Sequence, residues 1–371
     1  MVFRAIKSRI KCHWAGLRTF VIVLLVLPVI SVSCAEPEKC RDIEGRIRAE
    51  LEQFDPFMGN RQGTWRLDDG TDSGPVAAQV IALGQGQYRA RFFEEFDVRV
   101  PAIAELEGRL DEARVSFSGP GRYEGNEFTL QAVLEKDKLA GTFNGQDFSG
   151  SFTLEKVIRL SPTLGAKPPK GAIVLFDGSN FDEWKHSADK TGSVQWKLVD
   201  GAMEVAPGTN TIRTKKEFAD IKLHIEFRTP FMPEERGQGR GNSGVYLQGR
   251  HEVQVLDSFG LEGLSNECGG IYGASQPMVN MCAPPMQWQT YDITFRAARF
   301  DGSKQKLEDA RMTVLHNGVK IHDNVELTRI TKEDPGGDLL QWGGIYLQDH
   351  GNPVQYRNIW VVELPGENAS R

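Results

Sequence analysis

The sequence predicts an all-β protein in which a β-sandwich follows a smaller antiparallel β module with a short N-terminal helix. Short runs of alternating apolar residues, separated by Gly, Asp or Asn, recur along most of the chain, and such spacing is typical of antiparallel sheets. A Pro- and Gly-rich segment divides these runs into two groups. The second group has no helical period between its strands, which argues against a parallel sheet. With 371 residues and 40% hydrophobic content, the chain is long enough for two cores.

The charge balance excludes one class of function. The chain has 50 acidic and 44 basic residues, a formal net charge of −6, and these residues are spread without long runs. No basic stripe is available for a nucleic acid backbone. We therefore predict no nucleic acid partner.

Residues 1–35 are predicted to be an export signal. Basic residues precede an apolar run from Phe20 to Ile30, and small residues follow it, which is the order of a secretory signal. A membrane anchor is the alternative, but the run is shorter than the ~20 residues that span a bilayer. Cys34, which follows Ser31-Val32-Ser33, leaves lipidation open as a link to the membrane. We expect an exported protein of the periplasm, the cell envelope or the extracellular space.

Residues 36–160 are predicted to form an accessory module whose role the sequence does not assign. Its helix carries an apolar stripe at spacings of three and four residues, formed by Cys40, Ile43, Ile47, Leu51 and Phe54. From residue 63 to residue 157 the pattern changes to alternation, which predicts an antiparallel sheet or a small barrel. The strands predicted there run over residues 77–83, 88–93, 113–117, 128–134 and 148–154.

Residues 161–171, SPTLGAKPPKG, are predicted to be a linker, because their prolines and glycines favour neither a helix nor a ladder of hydrogen bonds. A second domain is predicted over residues 172–365. Its alternation indicates two facing antiparallel sheets. The strands predicted there run over residues 172–176, 195–198, 222–228, 244–248, 252–256, 289–296, 310–316, 343–348 and 355–363.

Two similar stretches, NSGVYLQGRHEVQVLD at 242–257 and GIYLQDHGNPVQYR at 344–357, predict one polar sheet face. Side chains alternate along a strand, so the Val, Ile and Leu residues of both stretches point to the core. A solvated outer face is the alternative, but it typically carries Lys, Glu and Thr, whereas rings and amides suit the faces and hydroxyl groups of sugars. The residues predicted on this face are Tyr246, Gln248, Glu252, Gln254, Tyr346, Gln348, Gln355 and Arg357.

A set of short motifs occurs in order over residues 171–364, just over half of the chain. The motifs are Leu175-Phe176-Asp177-Gly178 with Trp184, Trp196 with Asp200-Gly201, Glu226-Phe227-Arg228, Asn242-Ser243-Gly244-Val245-Tyr246, Glu252-Val253-Gln254-Val255-Leu256-Asp257, Trp288-Gln289-Thr290-Tyr291-Asp292, and His350-Gly351 leading to Arg357-Asn358-Ile359. Any one of these motifs is weak evidence, whereas the ordered set is strong evidence. With this set, residues 171–364 resemble the 3-keto-disaccharide hydrolase domain family of exported bacterial proteins. The resemblance implies a concanavalin A-like jelly-roll fold with its site on the concave sheet.

The resemblance also implies cleavage of glycosides that carry a ketone at C3. Such a ketone acidifies the C2 hydrogen, so a base can remove it, the C1 substituent leaves, and water adds to the resulting glycal. This chemistry needs a base, an acid and a stabiliser of the enolate oxygen. The residues predicted to be catalytic are Glu252, Asp257, His350 and Arg357. The residues predicted to bind substrate are Asn242, Tyr246, Gln248, Gln254, Tyr346 and Gln348.

Three alternatives stay open. The same face without turnover would make the domain a lectin-like carbohydrate-binding module of the cell envelope, and a face that meets a protein would make it a structural envelope protein. A divalent metal ion shared by Glu252, Asp257 and His350 would act as a Lewis acid on the ketone, although the sequence shows no dense ligand cluster. No other cofactor is predicted.

Cys268 and Cys282 are predicted to form a disulfide bond, which an exported protein permits. They flank a Gly- and Pro-rich loop without a helical or strand period, and closing it would stabilise the fold by roughly 3 kcal/mol. Two buried free thiols are the alternative. A zinc site is disfavoured, because no CxxC or HxxxH spacing accompanies these cysteines.

Overall fold

The computed structural model describes residues 37–188, 192–331 and 341–365. Strands and loops make up nearly all of this part, and its helical structure consists of α1 (Pro37–Glu52) and a short 3-10 helix at Gly237–Gly239. The predicted all-β class is therefore confirmed. The predicted export signal and the lipidation site at Cys34 lie outside the described residues. Neither described helix is long and apolar enough to cross a membrane.

The first eight strands form a closed antiparallel barrel in simple chain order. Closure comes from β1, which pairs with β2 on one side and with β8 on the other. Between β5 and β6, Glu124 and Gly125 both have positive φ, 49° and 85°, as a two-residue type I′ hairpin requires. The strands are β1 Gly59–Leu67, β2 Ser73–Gly84, β3 Gln87–Phe93, β4 Ala104–Asp111, β5 Arg114–Tyr123, β6 Asn126–Glu135, β7 Lys138–Gly145 and β8 Ser149–Val157.

The turn that follows α1 closes one end of the barrel. Arg61 is fully buried, and its Nη2 donates to the carbonyl of Phe57 at 2.6 Å and to that of Lys136 at 3.0 Å. Lys156 Nζ donates to the carbonyl of Pro56 at 2.9 Å. Burial lowers the pKa of Lys156 to about 8. Both cations therefore use their hydrogen bonds to fasten the closing segment.

The second domain consists of two facing antiparallel sheets, here called the small sheet and the large sheet. The small sheet has the order β10 Trp184–His186, β13 Ile212–Thr214, β22 Tyr346–Leu347, β15 Ser243–Leu247 and β16 His251–Val255. The large sheet has the order β11 Lys197–Val199, β12 Ala202–Glu204, β23 Gln355–Glu363, β14 Ile221–Arg228, β17 Gln289–Arg296, β20 Ala310–His316 and β21 Val319–Leu327, and β9 Ile173–Phe176 also pairs with β23. A separate two-stranded piece is formed by β18 Arg299–Phe300 and β19 Lys306–Glu308.

The apolar core of this domain lies between the two sheets, and two tyrosines of the large sheet reach across it. Tyr291 Oη donates to the carbonyl of Gln254 at 2.7 Å, and Tyr356 Oη donates to Ser243 Oγ at 2.7 Å. Ser243 therefore points inward. Side chains alternate along the strand, so Gly244 and Tyr246 lie on the outer face of the small sheet.

The segment predicted as a linker is fastened to the outer face of the large sheet. The amide of Gly165 donates to Glu226 Oε1 at 2.6 Å, and Thr163 Oγ1 donates to Asp292 Oδ2 at 2.7 Å. Asn358 Nδ2 donates to the carbonyl of Ala166 at 3.0 Å. The segment takes no part in a sheet ladder, but side chains of three strands hold it in place.

A buried ionic cluster lies beneath this segment. His224 Nδ1 is 2.7 Å from Asp292 Oδ1, and Arg357 Nε donates to Glu226 Oε2 at 2.7 Å. His224 and Glu226 are both fully buried. Burial alone would raise the pKa of Glu226, but hydrogen bonds from His224 and Asn358 and the charge of Arg357 outweigh it and lower that pKa to about 2. Burial opposes the charged form of His224, but hydrogen bonds to Asp292 and Glu226 raise its pKa above the usual value.

The lowered pKa of Glu226 predicts a loss of stability in acid. Its pKa falls from 4.5 to about 2 on folding, so its contribution is complete above pH 4.5 and is lost as the pH falls toward 2. We expect a loss of at most about 3 kcal/mol in the free energy of unfolding from this group. Urea unfolding of the wild type and of Glu226→Gln between pH 2 and pH 7 measures it. The variant keeps every other carboxylate, so an equally steep acid slope in both proteins would contradict the assignment.

Candidate active site

A row of polar side chains crosses four strands on the outer face of the small sheet. The strand registers pair Glu252 with Tyr246, Tyr246 with Tyr346, and Tyr346 with Arg213. Directly opposite residues point to the same side of a sheet, so the four side chains are neighbours. Strands about 4.8 Å apart give the row a length of roughly 14 Å. This is long enough for a sugar ring and the group attached to it.

Glu252 forms the acidic end of the row and lies against a position without a side chain. A Cβ at Gly244 would be 2.4 Å from Glu252 Oε1 and 2.9 Å from Cε2 of Tyr246. Glycine at this position therefore lets the carboxylate lie close to the sheet beside the tyrosine ring. Glu252 is 3% exposed and Tyr246 is 2% exposed. Water is nearly excluded there, so electrostatic interactions of the carboxylate are stronger than in bulk solvent.

Both phenol oxygens of the row accept hydrogen bonds from neighbouring side chains. Gln348 Nε2 donates to Tyr246 Oη at 3.0 Å, and Arg213 Nη1 donates to Tyr346 Oη at 3.2 Å. The Arg213 guanidinium also lies 5.7 Å from the centroid of the Tyr346 ring, within the range of a cation–π contact. These contacts fix the positions of two groups that can both donate and accept a proton.

A cluster of side-chain amides lies at one end of this face. Gln254 Nε2 donates to Gln238 Oε1 at 3.0 Å, and Asn242 Nδ2 donates to the same oxygen at 3.1 Å. Gln254 and Asn242 are each 1% exposed. In the described part of the chain, the buried Asn242 Oδ1 has no hydrogen-bond partner. A buried acceptor of this kind is suited to a substrate hydroxyl group.

Arg213, the basic end of the row, is not among the residues predicted from the sequence. It lies on the three-residue strand β13, which is too short to show an alternating pattern. Its Nη1 is 3.7 Å from Glu217 Oε1, and its buried Nε has no hydrogen-bond partner within the described ranges. The row therefore has a carboxylate at one end and a guanidinium with an available donor at the other.

Arg357 was predicted to share the cleft with Glu252, and this prediction is wrong. Arg357 lies on β23 of the large sheet, where it pairs with Glu226 and packs 4.0 Å from the centroid of the Trp288 ring. Gln355, on the same strand, accepts a hydrogen bond from Arg228 Nε at 2.6 Å. Alternation correctly predicts that both are polar outward residues. The turn before them crosses to the other sheet, which alternation cannot show.

Gln248 and Asp257 also differ from their predicted roles on the polar face. β15 ends at Leu247, and Gln248, with φ of 56°, turns inward so that its Nε2 donates to the carbonyls of Phe218 and Gln341 at 3.0 and 2.8 Å. Asp257 Oδ2 accepts from Arg240 Nε at 2.6 Å in a buried ion pair. This carboxylate is committed to a structural contact.

Arg240 also joins the two domains, which explains why its partner Asp257 is buried. Its Nη1 donates to the carbonyl of Ala82 on β2 of the barrel at 3.2 Å. Burial raises the pKa of Asp257, although the Arg240 charge opposes this. The pair therefore stabilises the domain contact and not a reacting group.

His350 lies on an exposed turn next to the amide cluster. The neighbouring Asn352 accepts a hydrogen bond at Oδ1 from the amide of Asn242 at 2.7 Å, and Asp349 Oδ1 accepts from the amide of Gly351 at 3.0 Å. The turn is thus attached to the strand that carries Tyr246. His350 is placed at the edge of the face and not within the row.

Cys268 and Cys282 are free, buried thiols in the structure, so the predicted disulfide bond is not formed in it. Interaction between the two thiols contributes to the pKa shift of each, so they are neighbours in the fold. Cys268 Sγ is also 3.2 Å from Tyr291 Oη, and Cys282 Sγ is 3.5 Å from the carbonyl of Leu256. These contacts satisfy both sulfur atoms in the reduced form.

The residues around Glu252 do not resemble a metal centre. Among the described residues, no group of three or more His, Cys, Asp and Glu side chains is arranged to hold a metal ion. The neighbours of Glu252 in the row are a glycine and tyrosines. We therefore derive no step through the metal ion considered above. The arrangement can remove a proton with a carboxylate and can donate protons from phenols and a guanidinium.

Comparison with known proteins matches residues 171–362 to the family described as 3-keto-alpha-glucoside-1,2-lyase-like domain. Among solved structures, a "putative glycosyl hydrolase" from Parabacteroides distasonis ATCC 8503 is 34% identical, with 53% of this chain and 85% of that chain covered and a TM-score of 0.48. Another from the same organism is 20% identical, with 53% and 95% covered and a TM-score of 0.41. No curated protein matches this chain.

Proposed function

The chain belongs to the 3-keto-alpha-glucoside-1,2-lyase-like domain family, and from this we propose that it cleaves glycosides whose sugar carries a ketone at C3. The observation that carries the proposal is the buried row from Glu252 through Tyr246 and Tyr346 to Arg213. It provides a base, two proton donors and a cation along one line. A 3-keto-glycoside requires these groups for elimination.

In the proposed reaction, Glu252 removes the proton from C2 and the electrons of that bond form the enolate. Arg213 and Tyr346 stabilise the enolate oxygen at C3. Collapse of the enolate expels the oxygen at C1, which takes a proton from Tyr246, and leaves a double bond between C1 and C2. Water then adds its hydroxyl group to C1, its remaining proton restores Tyr246, and Glu252 returns a proton to C2. The net change is hydrolysis of the glycoside.

Substrate binding is proposed for buried polar groups at both ends of the same face. Asn242 Oδ1 and Arg213 Nε are buried groups without a partner in the described part of the chain, and an unpaired buried group gains from a hydrogen bond to a substrate hydroxyl. Gln348 and Gln254 border the row. His350, exposed on its turn, is proposed to contact the departing group at the rim.

The fold and the location of the protein are proposed as well. The order of strands in the two sheets is consistent with a jelly roll of the concanavalin A type. The charged, apolar and small-residue segments of residues 1–35 support export to the periplasm, the envelope or beyond. N-terminal sequencing of the mature protein tests this, since an uncleaved chain would contradict export with signal removal and a lipid on Cys34 would establish the membrane link.

Elimination predicts a specific isotopic result that tests the proposed reaction. A 3-keto-glycoside with deuterium at C2 should react more slowly when proton removal limits the rate. Product formed in deuterated water should carry deuterium at C2, because the proton held by Glu252 exchanges before it returns. Mass spectrometry and NMR of the product measure both effects. Retention of the original C2 hydrogen, or equally fast cleavage of the unoxidised glycoside, would contradict elimination.

A control separates this proposal from the binding alternative. If the 3-keto-glycoside binds but no aglycone is released, the domain is a carbohydrate-binding module. Binding is measured by calorimetry on the same preparation that is assayed for turnover.

A further inference from the structure

The open end of the barrel contains an aromatic cup that the proposed function does not use. The other end is closed by the turn after α1, as described above. At the open end, a cavity of about 60 Å³ lies among the strands. The aromatic residues that line it are Trp65, Phe92, Tyr123, Phe128, Phe143, Phe148 and Phe152.

The rings at the rim of the cup contact one another. The centroid of the Phe143 ring lies 6.3 Å from that of Trp65, 5.9 Å from that of Phe128 and 6.2 Å from that of Phe148. Tilted and edge-on contacts at such distances are favourable arrangements of aromatic rings. The rim is therefore a continuous apolar surface, in which Trp65, Phe128 and Phe148 are each half-buried.

Two glycines make room for these rings. A Cβ at Gly121 would be 2.3 Å from the Phe128 ring, and a Cβ at Gly150 would be 2.3 Å from the Phe143 ring. Both glycines lie directly across the strand pair from the ring in question. Any larger residue at either position would displace a ring and change the shape of the cup.

The cup is shallow, which limits the shape of its ligand. Its floor is formed by Phe92 and Leu130, which are 1% and 3% exposed, and below them Val115, Leu134 and Leu154 are fully buried. The barrel below the cup is thus filled by side chains, as eight-stranded barrels often are. A flat ring fits above this floor, whereas a long acyl chain has no channel to enter.

One polar pair stands at the rim. Tyr123 Oη donates a hydrogen bond to Glu94 Oε1, and both residues line the cavity, where Asn126 is the other polar residue of the lining. Burial and the neighbouring Glu94 raise the pKa of Tyr123, so the phenol keeps its proton and directs it to the carboxylate. A carboxylate is an acceptor only. The matching group on a ligand is a hydrogen-bond donor.

We propose that the cup binds a small phenol, with its ring system between Trp65, Phe128 and Phe148 and its hydroxyl group donating to Glu94. Mouths of β-barrels are common sites for small ligands. A sugar would leave its hydroxyl groups without partners on this apolar surface, which costs free energy. The binding site does not depend on the proposed function. The aglycone of a phenolic glycoside belongs to this ligand class. Only the link between such an aglycone and the cup rests on the proposed function.

Titration of the whole protein with 2-naphthol, followed by calorimetry and by naphthol fluorescence, tests the proposal. We expect one site with a Kd on the order of 10⁻⁵ to 10⁻⁴ M. Ile103 lines the cup. In Ile103→Trp the larger side chain should fill the cup and weaken binding of 2-naphthol by about tenfold or more. The matched control is Val133→Trp, because Val133 lies on β6 of the barrel and is 38% exposed. This variant should bind as the wild type does.

Two further measurements keep the test decisive. Phe148→Ala, which removes a rim ring, should weaken binding even if Ile103→Trp fails to fold. Glu94→Gln should weaken binding of 2-naphthol by about tenfold but leave binding of 2-methoxynaphthalene unchanged, since the ether has no proton to donate to the carboxylate. Unchanged binding to Ile103→Trp or Phe148→Ala, displacement of naphthol by palmitate or by methyl glucoside, or no saturable binding would overturn the proposal.

Discussion

Glu252→Gln is expected to lower the turnover of a 3-keto-glycoside by about 10²-fold or more, the usual scale for loss of a general base. Glutamine keeps the size and most contacts of the side chain but cannot accept the C2 proton. The position is 3% exposed, so the loss cannot be compensated by a water-borne base at the same place. Because the change is nearly isosteric, we expect the free energy of unfolding to change by less than about 1.5 kcal/mol. Steady-state kinetics and urea unfolding measure the two quantities.

Two control variants sharpen this prediction. Glu326→Gln removes a carboxylate from β21 of the large sheet, where its side chain is 50% exposed, and should leave turnover unchanged. Gly244→Ala places a Cβ 2.4 Å from Glu252 Oε1, so it should displace the carboxylate and lower turnover without removing it. Near wild-type turnover in Glu252→Gln would show that another residue is the base.

Arg213→Lys tests the other end of the row within the same assay. Lysine keeps the charge but loses the planar guanidinium, whose Nη1 bonds Tyr346. A loss in turnover larger than the loss in binding would support stabilisation of the enolate. Equal binding and turnover in this variant and the wild type would remove Arg213 from the proposed mechanism.

Glu226→Gln is expected to destabilise the protein by about 3 kcal/mol, the scale for removing one partner of a buried ion pair. Glu226 is fully buried and accepts hydrogen bonds from Arg357, Asn358 and the amide of Gly165. The variant leaves the guanidinium without its countercharge and offers an amide donor where acceptors are needed. Urea unfolding, followed by circular dichroism and tryptophan fluorescence, measures the effect.

The control for this prediction is an exposed ion pair of similar geometry. Glu308 lies 2.6 Å from Arg296, and its side chain is 60% exposed, so Glu308→Gln should cost less than about 1 kcal/mol. If both variants lose the same stability, the buried cluster beneath residues 161–170 does not stabilise the fold more than a surface pair does. Turnover per folded molecule should be unaffected in both.

The alternation of apolar and polar residues predicted the strands well wherever the strands are long and half-buried. The predicted runs 289–296, 310–316 and 355–363 coincide with β17, β20 and β23. In each of these strands one face packs on the core, so the apolar period of two is visible in the sequence. The short strands β13 and β22 have three and two residues, and no period can be read from so few positions.

The candidate site was predicted in part for the same reason. Tyr246, Glu252, Gln254, Tyr346 and Gln348 do share one outer face in the structure, as alternation around Val245 and Leu347 requires. Arg213 was missed because a lone arginine between Ile212 and Thr214, on a strand of three residues, carries no signal. The cluster of His224, Glu226 and Asp292 was not recognised as structural, since its role appears only when residues 161–170 lie over it.

The sequence by itself determined the all-β class, the inward and outward residues of each long strand, and the family of the second domain. These depend on the side-chain period of a strand and on ordered local motifs, both of which are properties of neighbouring residues. Only the tertiary structure decided that Arg357 belongs to the other sheet, that Gln248 turns inward, that Asp257 pairs with Arg240 and that Cys268 and Cys282 remain thiols. Each of these depends on contacts between segments that are not adjacent in the chain. Such contacts are set by how two sheets and a barrel pack together, which no local pattern records.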